Sequence, residues 1–261
     1  MNAKPEFSVV TVVYNGVKNI DGTIASVLNQ DYQNFEYIVI DGGSSDGTIE
    51  KIKSFGEKID QFVSEPDRGI YDAMNKAAKL AKGKWIYFLN VGDYFYDDQV
   101  LSDLSKQITE ASLVFGKHQS DYGYFQRIHK PAAIKNLQWG MIFSHQAMVA
   151  KTELLKQQLF DLKYKYSADY NFIYKLYKEG HVFKQVELIF AKLEAEGASE
   201  LNITKTHKER WKISRTYEKG FSKFRHDCKY LIMLWELRFI KLLKFILPKK
   251  MVQKLTVRKY S

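Results

Sequence analysis

The stretch Gly83-Lys84-Trp85-Ile86-Tyr87-Phe88-Leu89-Asn90-Val91-Gly92-Asp93 decides the fold. Trp85 to Leu89 are apolar or aromatic without a break, and Lys84 fronts them. A short unbroken apolar run of this kind suits a central parallel strand, covered on both faces. Asn90, Gly92 and Asp93 stop it. In open α/β sheets, ligands sit at the C-terminal edge of the strands. A carboxylate there is able to hold a divalent cation, and the cation a diphosphate. Taken alone, Asn-Val-Gly-Asp reads equally as a plain turn.

Working outward from this strand, the same grammar repeats. Upstream, Tyr71 to Ala81 has helical character and follows Glu65-Pro66-Asp67-Arg68-Gly69, which breaks a short strand over Ile59–Ser64. Before that, Phe35 to Ile40 reads as a strand ending in Asp41-Gly42-Gly43-Ser44-Ser45-Asp46-Gly47-Thr48. Phe7 to Val13 is a β-branched first strand, closed by Tyr14-Asn15-Gly16. A helix with Ile24, Val27 and Leu28 at helical spacing follows over Thr23–Asn29. Strands alternating with helices predict βαβ units and a parallel sheet.

The polar strand ends carry the chemistry. Glycines in Asp41–Thr48 let backbone approach a ligand, and the helix that follows favours anions at its N-terminus. The dinucleotide and P-loop glycine patterns are both absent. A carboxylate at the strand end suits a base or ribose better than a phosphate; the plain alternative is a βα turn with Asp46 or Ser45 as a cap.

Downstream, a helix is expected over Asp97–Glu110 and strands over Leu113–Lys117 and Val182–Ile189. Gln119 to Trp139 is rich in aromatic residues with weak periodicity. Tyr166-Ser167-Ala168-Asp169-Tyr170 opens an amphipathic helix, and Glu196-Gly197-Ala198-Ser199 reads as a lid.

Apolar content is 45% and charge 27% over 261 residues, enough to fill a core. The single cysteine, Cys228, excludes an internal disulfide framework and a cysteine zinc cluster, and fits a reducing compartment. No apolar leader precedes the first strand, so a secretory signal is not expected. The net charge of +10 is uneven: Lys205–Ser261 holds 17 Lys+Arg against 4 Asp+Glu, and the preceding residues are slightly acidic. Within that tail, Leu231, Ile232, Trp235, Phe239, Leu242, Leu243 and Ile246 share one helical face, with Lys229, Arg238, Lys241 and Lys244 on the other. The charges argue against a spanning helix. A helix lying in a membrane interface and a helix packed on protein both fit. No nucleic-acid reading motif is present.

In order and spacing, Thr11–Asn15, Tyr37–Thr48, Glu65–Asn75, Gly83–Asp93, Ser144-His145-Gln146 and Ala168-Asp169-Tyr170 resemble a family 2 glycosyltransferase of the bacterial polysaccharide-biosynthesis type, over roughly residues 6 to 200. The resemblance implies an α/β, Rossmann-like GT-A fold: a mostly parallel sheet flanked by helices over 1–203, with a basic amphipathic helical extension over 204–261. It implies an inverting transfer from a nucleotide-diphosphate sugar, expected to be a UDP-sugar. The expected acceptor is a hydroxyl of a glycan or lipid-linked molecule in lipopolysaccharide or capsule synthesis. Donor contacts fall to Thr11, Val13, Tyr14, Asn15, Asp41, Ser44, Asp67, Arg68, Gly69, Asn75, Asn90 and Val91. His145 and Gln146 fall to the acceptor pocket, His145 with a place at the metal as its alternative. Asp169 takes the place of the general base.

A divalent cation, Mn²⁺ or Mg²⁺, is implied as well. The family's Asp-x-Asp is replaced here by Asn90-Val91-Gly92, so Asp93 is the expected ligand and the metal requirement is in question. The implied location is the cytoplasmic face of a membrane, and self-assembly is left open. Two rivals stand beside this reading. A nucleotidyltransferase should carry a Gly-rich, Arg/Lys-bearing loop near its N-terminus, where residues 11–20 offer only Gly16 and Lys18. A non-catalytic module of the same fold would bind UDP without turnover.

Overall fold

A computed structural model describes residues 4–108, 110–194 and 202–246; the Glu196–Ser199 stretch lies outside them. The chain divides into two compact units, Met1–Gly197 and Ala198–Ser261.

The first unit is built on a nine-stranded mixed sheet. Its strands are β1 (Phe7–Val13), β2 (Phe35–Asp41), β3 (Gln61–Ser64), β4 (Trp85–Phe88), β5 (Tyr94–Phe95), β6 (Leu113–Asp121), β7 (Gln126–His129), β8 (Met148–Lys151) and β9 (Phe183–Glu194). Its helices are α1 (Ile20–Leu28), α2 (Thr48–Ser54), α3 (Ile70–Leu80), α4 (Val100–Gln107), α5 (Thr152–Gln157) and α6 (Ala168–Lys178). The sheet order is β3-β2-β1-β4-β8-β6-β9-β5, with β7 beside β6.

The expected parallel sheet is present in its first half, β3-β2-β1-β4. Beyond β4 the pairing turns antiparallel through β8, and only β6 with β9 is parallel again. β4 is the seam between the halves. Trp85 to Leu89 are all buried, as their unbroken apolar run requires. Burying each such side chain is worth about 1.5–3 kcal/mol.

The connection from β1 leads to β2 on one side, while β4 lies on its other side. The order therefore reverses between β1 and β4, and such a switch point is where ligands sit in open α/β sheets, at the C-terminal strand ends. At the opposite edge, Glu36 gathers the strand starts. Its Oε1 accepts from Ser8 Oγ (2.6 Å), from the Gly83 N–H (3.1 Å) and from the Lys82 N–H, and its Oε2 accepts from Gln61 Nε2 (3.1 Å). A buried carboxylate is tolerated there because its lone pairs are met.

The second unit holds α7 (Ile203–Tyr217) and α8 (Gly220–Ile246), which pack together. Trp211 Nε1 donates to Asp227 Oδ1 at 2.6 Å, and Arg215 Nε lies 3.5 Å from the same oxygen. His226 and Tyr230 of α8 are buried, whereas Phe221, Phe224, Leu231, Ile232, Trp235 and Phe239 are exposed. Among the described residues no helix is long and apolar enough to cross a membrane.

Candidate active site

Two clusters form at the switch point, one from the ends of β1, β2 and β3, the other from the end of β4 and the segments facing it. In the first, Asp41 ends β2 with no exposed surface. Its Oδ2 accepts from the Gly43 and Ser44 N–H groups (3.0 Å each) and from Ser64 Oγ (2.7 Å). Its Oδ1 is buried with no hydrogen-bond partner. An orphaned carboxylate oxygen at a ligand edge is an acceptor in search of a donor.

Asn15, in the left-handed region at φ 51°, joins the two loops. Its N–H donates to Ser44 Oγ (2.7 Å) and its Oδ1 accepts from the Ser45 N–H (3.0 Å). Beside it the Tyr14 ring is 65% exposed. Gly42 leaves the room that keeps Tyr14 and Asp67 together: a methyl group there would lie 2.4 Å from Asp67 Oδ2 and 3.4 Å from Tyr14 Cδ2. Asp67 Oδ1 is held by the Gly69 N–H at 2.7 Å.

The second cluster starts at a tight turn. The Asp93 N–H donates to Asn90 O at 3.0 Å, and Gly92 sits at the third turn position with φ 89°. That φ is the reason for glycine in the third place of the Asn90-Val91-Gly92 triplet. Thr23 braces the turn, accepting from the Gly92 N–H and donating to Asp93 O, both at 3.0 Å. Val91 packs over Gly16.

From this turn Asn90 Nδ2 meets His145 Nε2 at 2.9 Å, while Asn90 Oδ1 is buried without a partner. His145 Nδ1 faces Asp169 Oδ2 at 3.6 Å. Asp169 Oδ1 accepts from Tyr71 Oη and from the Tyr170 N–H, both at 2.8 Å. Burial pushes His145 below its ordinary value, partly opposed by Asp169. Asp93 is buried, and its Oδ2 accepts from Gln146 Nε2 at 2.8 Å. Burial pushes the Asp93 carboxyl up to about 7, opposed by the Gln146 hydrogen bond and reinforced by Glu194. Glu194 arrives at the end of β9, through the register that pairs Tyr94 with Lys192.

Four expected donor residues sit differently from their neighbours. Thr11 has no exposed surface; its hydroxyl donates to Leu89 O and accepts from Tyr37 Oη, both at 2.9 Å. It shapes the strand ends from behind, as does the buried Val13. Asn75 is turned to the Phe160 backbone, donating to its O (2.9 Å) and accepting from its N–H (2.8 Å). Arg68 is exposed and paired with Asp72 at 3.2 Å. Two residues that sequence reasoning missed join the second cluster, Tyr71 and Glu194. Both lie far along the chain from their partners, and neither has a local signature.

The cation test rests on this donor set. Among the described residues no three His, Cys, Asp or Glu side chains gather as a cage. A cation that keeps most of its shell as water and substrate phosphate needs only one or two carboxylates. Asp93, with one oxygen not engaged by Gln146 and Glu194 nearby, meets that smaller requirement.

Buried carboxylates gathered at a strand-order reversal define an α/β protein whose ligand site lies at the C-terminal strand ends. The profile described as Glycosyl transferase family 2 matches residues 8–168, and the chain belongs to that family. It is 27% identical over 186 residues to the PGL/p-HBAD biosynthesis glycosyltransferase of Mycobacterium bovis (strain BCG / Pasteur 1173P2), covering 65% of this chain and 69% of the relative. TuaG of Bacillus subtilis (strain 168), assigned to teichuronic acid biosynthesis, is 36% identical over 107 residues, 40% of this chain and 42% of its own. Among solved structures, S. aureus TarS 1-349 in complex with UDP-GlcNAc has a TM-score of 0.67 at 18% identity, covering 88% of this chain and 71% of that one. The mannosyltransferase PcManGT from Pyrobaculum calidifontis, in complex with GDP-Man and Mn²⁺, has a TM-score of 0.67 at 15% identity, covering 99% and 81%.

Proposed function

We propose that this glycosyltransferase inverts the anomeric centre of a UDP-sugar while moving the sugar to a hydroxyl of a glycan or lipid-linked acceptor in cell-surface polysaccharide synthesis. The observation that carries the reading is the set of carboxylates at the strand ends of the switch point, Asp41 with an unpartnered Oδ1 in one cluster and Asp93 and Asp169 in the other. Asp41, with its free buried Oδ1, accepts an N–H from the base, and Tyr14 offers its exposed ring as a stacking face. Asn15, Ser44, Asp67 and Gly69 shape the loops around the nucleotide. Asn90 and Val91 floor the sugar.

Asp169 is the general base. Tyr71 and the Tyr170 N–H hold one of its oxygens, leaving Oδ2 toward the acceptor hydroxyl. As the acceptor oxygen bonds to the anomeric carbon, the bond from that carbon to the diphosphate breaks and the hydroxyl proton passes to Asp169. Positioned base catalysis of this kind contributes about 10²–10⁴-fold. A divalent cation held through Asp93 would neutralise charge on the departing diphosphate. Gln146 orients Asp93, and His145 with Gln146 borders the acceptor side.

The test is transfer and donor turnover with UDP- and GDP-sugars, in wild type and Asp169→Asn, alongside UDP affinity. Loss of turnover in the variant with UDP affinity kept supports the reading. Loss of both, or full turnover in the variant, overturns Asp169 as base.

The second unit fits a peripheral place on an anionic bilayer. Phe221, Phe224, Leu231, Ile232, Trp235 and Phe239 fall within about 100° of the α8 wheel, opposite the buried His226 and Tyr230. Arg225 and Lys229 flank this stripe on one side and Arg238 on the other. Aromatic residues in such a stripe, with cations at its borders, match a helix lying in the interface of an anionic membrane. Flotation with phosphatidylglycerol vesicles is expected to carry the wild-type chain and not Trp235→Asp/Phe239→Asp. Equal flotation of both overturns the lipid reading, as does a wild-type dimer that the double variant dissolves.

A further inference from the structure

Asn90 stands where the family's Asp-x-Asp has its first aspartate, and its geometry gives that asparagine a task. Its Nδ2 lies 2.9 Å from His145 Nε2. An amide nitrogen only donates, so Nε2 must accept and carries no proton. A neutral imidazole then bears its hydrogen on Nδ1. Nδ1 is the nitrogen that faces Asp169 Oδ2, at 3.6 Å.

The opposite amide orientation would leave both N–H groups of a buried NH₂ unmet, where the present one engages one N–H with His145 and leaves the other N–H and the acceptor Oδ1 unmet. Orphaned N–H groups are the rarer and costlier of the two. Burial pushes His145 below its ordinary value, against the pull of Asp169, and so favours the neutral ring. The titratable groups that face it are Asp169 from α6 and His118 from β6, and His118 is itself pushed down to about 4 by burial and its histidine neighbours. The ring therefore presents an N–H dipole to Asp169 without adding a charge.

An aspartate in this place would only accept. It would demand a proton on Nε2. A neutral ring would then turn a lone pair toward Asp169 Oδ2, and a charged ring would bind Asp169 as an ion pair between two carboxylates. Either outcome spoils the oxygen that the mechanism needs.

We infer that Asn90 is a positioning residue that fixes the Nδ1–H tautomer of His145, and through that N–H the orientation of Asp169 toward the acceptor hydroxyl. The inference rests on Asp169 as the base proposed above. Tyr71 hydrogen-bonds the other oxygen of the same carboxylate, so His145 at 3.6 Å from Oδ2 acts on it as an oriented dipole rather than through a formed hydrogen bond. The departure from Asp-x-Asp is thereby tied to acceptor activation as well as to the metal.

Nitrogen-15 NMR of the histidine rings in the full chain tests it, with the His145 signals identified by their loss in His145→Gln. Wild type is expected to show a protonated Nδ1 and a bare Nε2; a protonated Nε2 overturns the inference without any variant. Asn90→Asp is expected to move the proton to Nε2 or to give an imidazolium. It should lower kcat at least about tenfold, change the pH profile of kcat, and leave UDP affinity in place. In a His145→Gln background the same substitution should cost little further; an equal loss in both backgrounds overturns the relay. Wild-type turnover in Asn90→Asp does so too. If the tautomer is as stated but Asp169→Asn still transfers sugar, the assignment of the base has failed and the tautomer stands.

Discussion

Replacing Asn75 by alanine separates scaffold from substrate contact. Asn75 is buried on α3 and joins two segments 85 residues apart through a pair of hydrogen bonds to Phe160, at 2.9 and 2.8 Å. Both are buried, and both end on the same residue's backbone. Asn75→Ala strands the Phe160 N–H and C=O together. Each unmet buried group costs about 1–3 kcal/mol, so the loss is about 2–6 kcal/mol. For a unit of this size each kcal/mol lowers Tm by about 2–4 °C, which places the shift at about 4–24 °C. Thermal unfolding followed by circular dichroism, together with UDP titration of the folded variant, reads both quantities. A Tm within about 1 °C of wild type together with a lost UDP affinity would refute the reasoning. It would show that Asn75 turns to the donor and that the Phe160 contact is incidental.

Gly42→Ala places a methyl group 2.4 Å from Asp67 Oδ2; because that carboxylate end is able to swing away, UDP binding is expected to weaken by about tenfold with little change in Tm, and unchanged calorimetric affinity would count against the Tyr14–Asp67 wall. Asp93 is held up at about 7 against an ordinary 3.8, so between those pH values the folded chain binds the extra proton. Stability therefore falls as pH rises through that window and levels off above it, by about 4 kcal/mol at most. Asp93→Asn should flatten that part of a Tm-against-pH curve, and an unaltered slope would show that Asp93 is not the group responsible. Tyr71→Phe removes one of the two donors to Asp169 Oδ1. It is expected to lower kcat by about tenfold while acceptor KM holds; a change confined to KM would move Tyr71 to substrate binding.

The parallel half of the sheet was legible because β1, β2 and β4 are short runs rich in β-branched and aromatic residues with polar ends. The antiparallel half was not, since the order β4-β8-β6 is set by pairings between distant segments. Tyr94–Phe95 and Gln126–His129 are too short to show a period. The helix expected from Asp97 begins at Val100, because Asp97 Oδ1 is spent on the Gln99 N–H, at 3.0 Å. The motif order singled out Asp41, Asn90, Asp93, His145 and Asp169, which lie in the two clusters at the strand ends. It did not reveal that Thr11 and Asn75 face the interior, because burial of a polar side chain depends on partners elsewhere, Leu89 and Phe160. Nor did it show Tyr71 on Asp169, a contact between residues 98 apart.

Glu36 has a bearing on how this scaffold can change. It ties the starts of β1 and β2, the Lys82-Gly83 approach to β4, and Gln61 of β3 into one knot at the edge away from the site. Register is thus anchored at one end of the strands and chemistry is performed at the other. Loops on the site's side are free to be lengthened, shortened or exchanged without slipping the sheet beneath them. A designer seeking a new donor preference would leave Glu36 alone and recombine Asp41–Thr48 and Glu65–Gly69 from other chains as interchangeable cassettes.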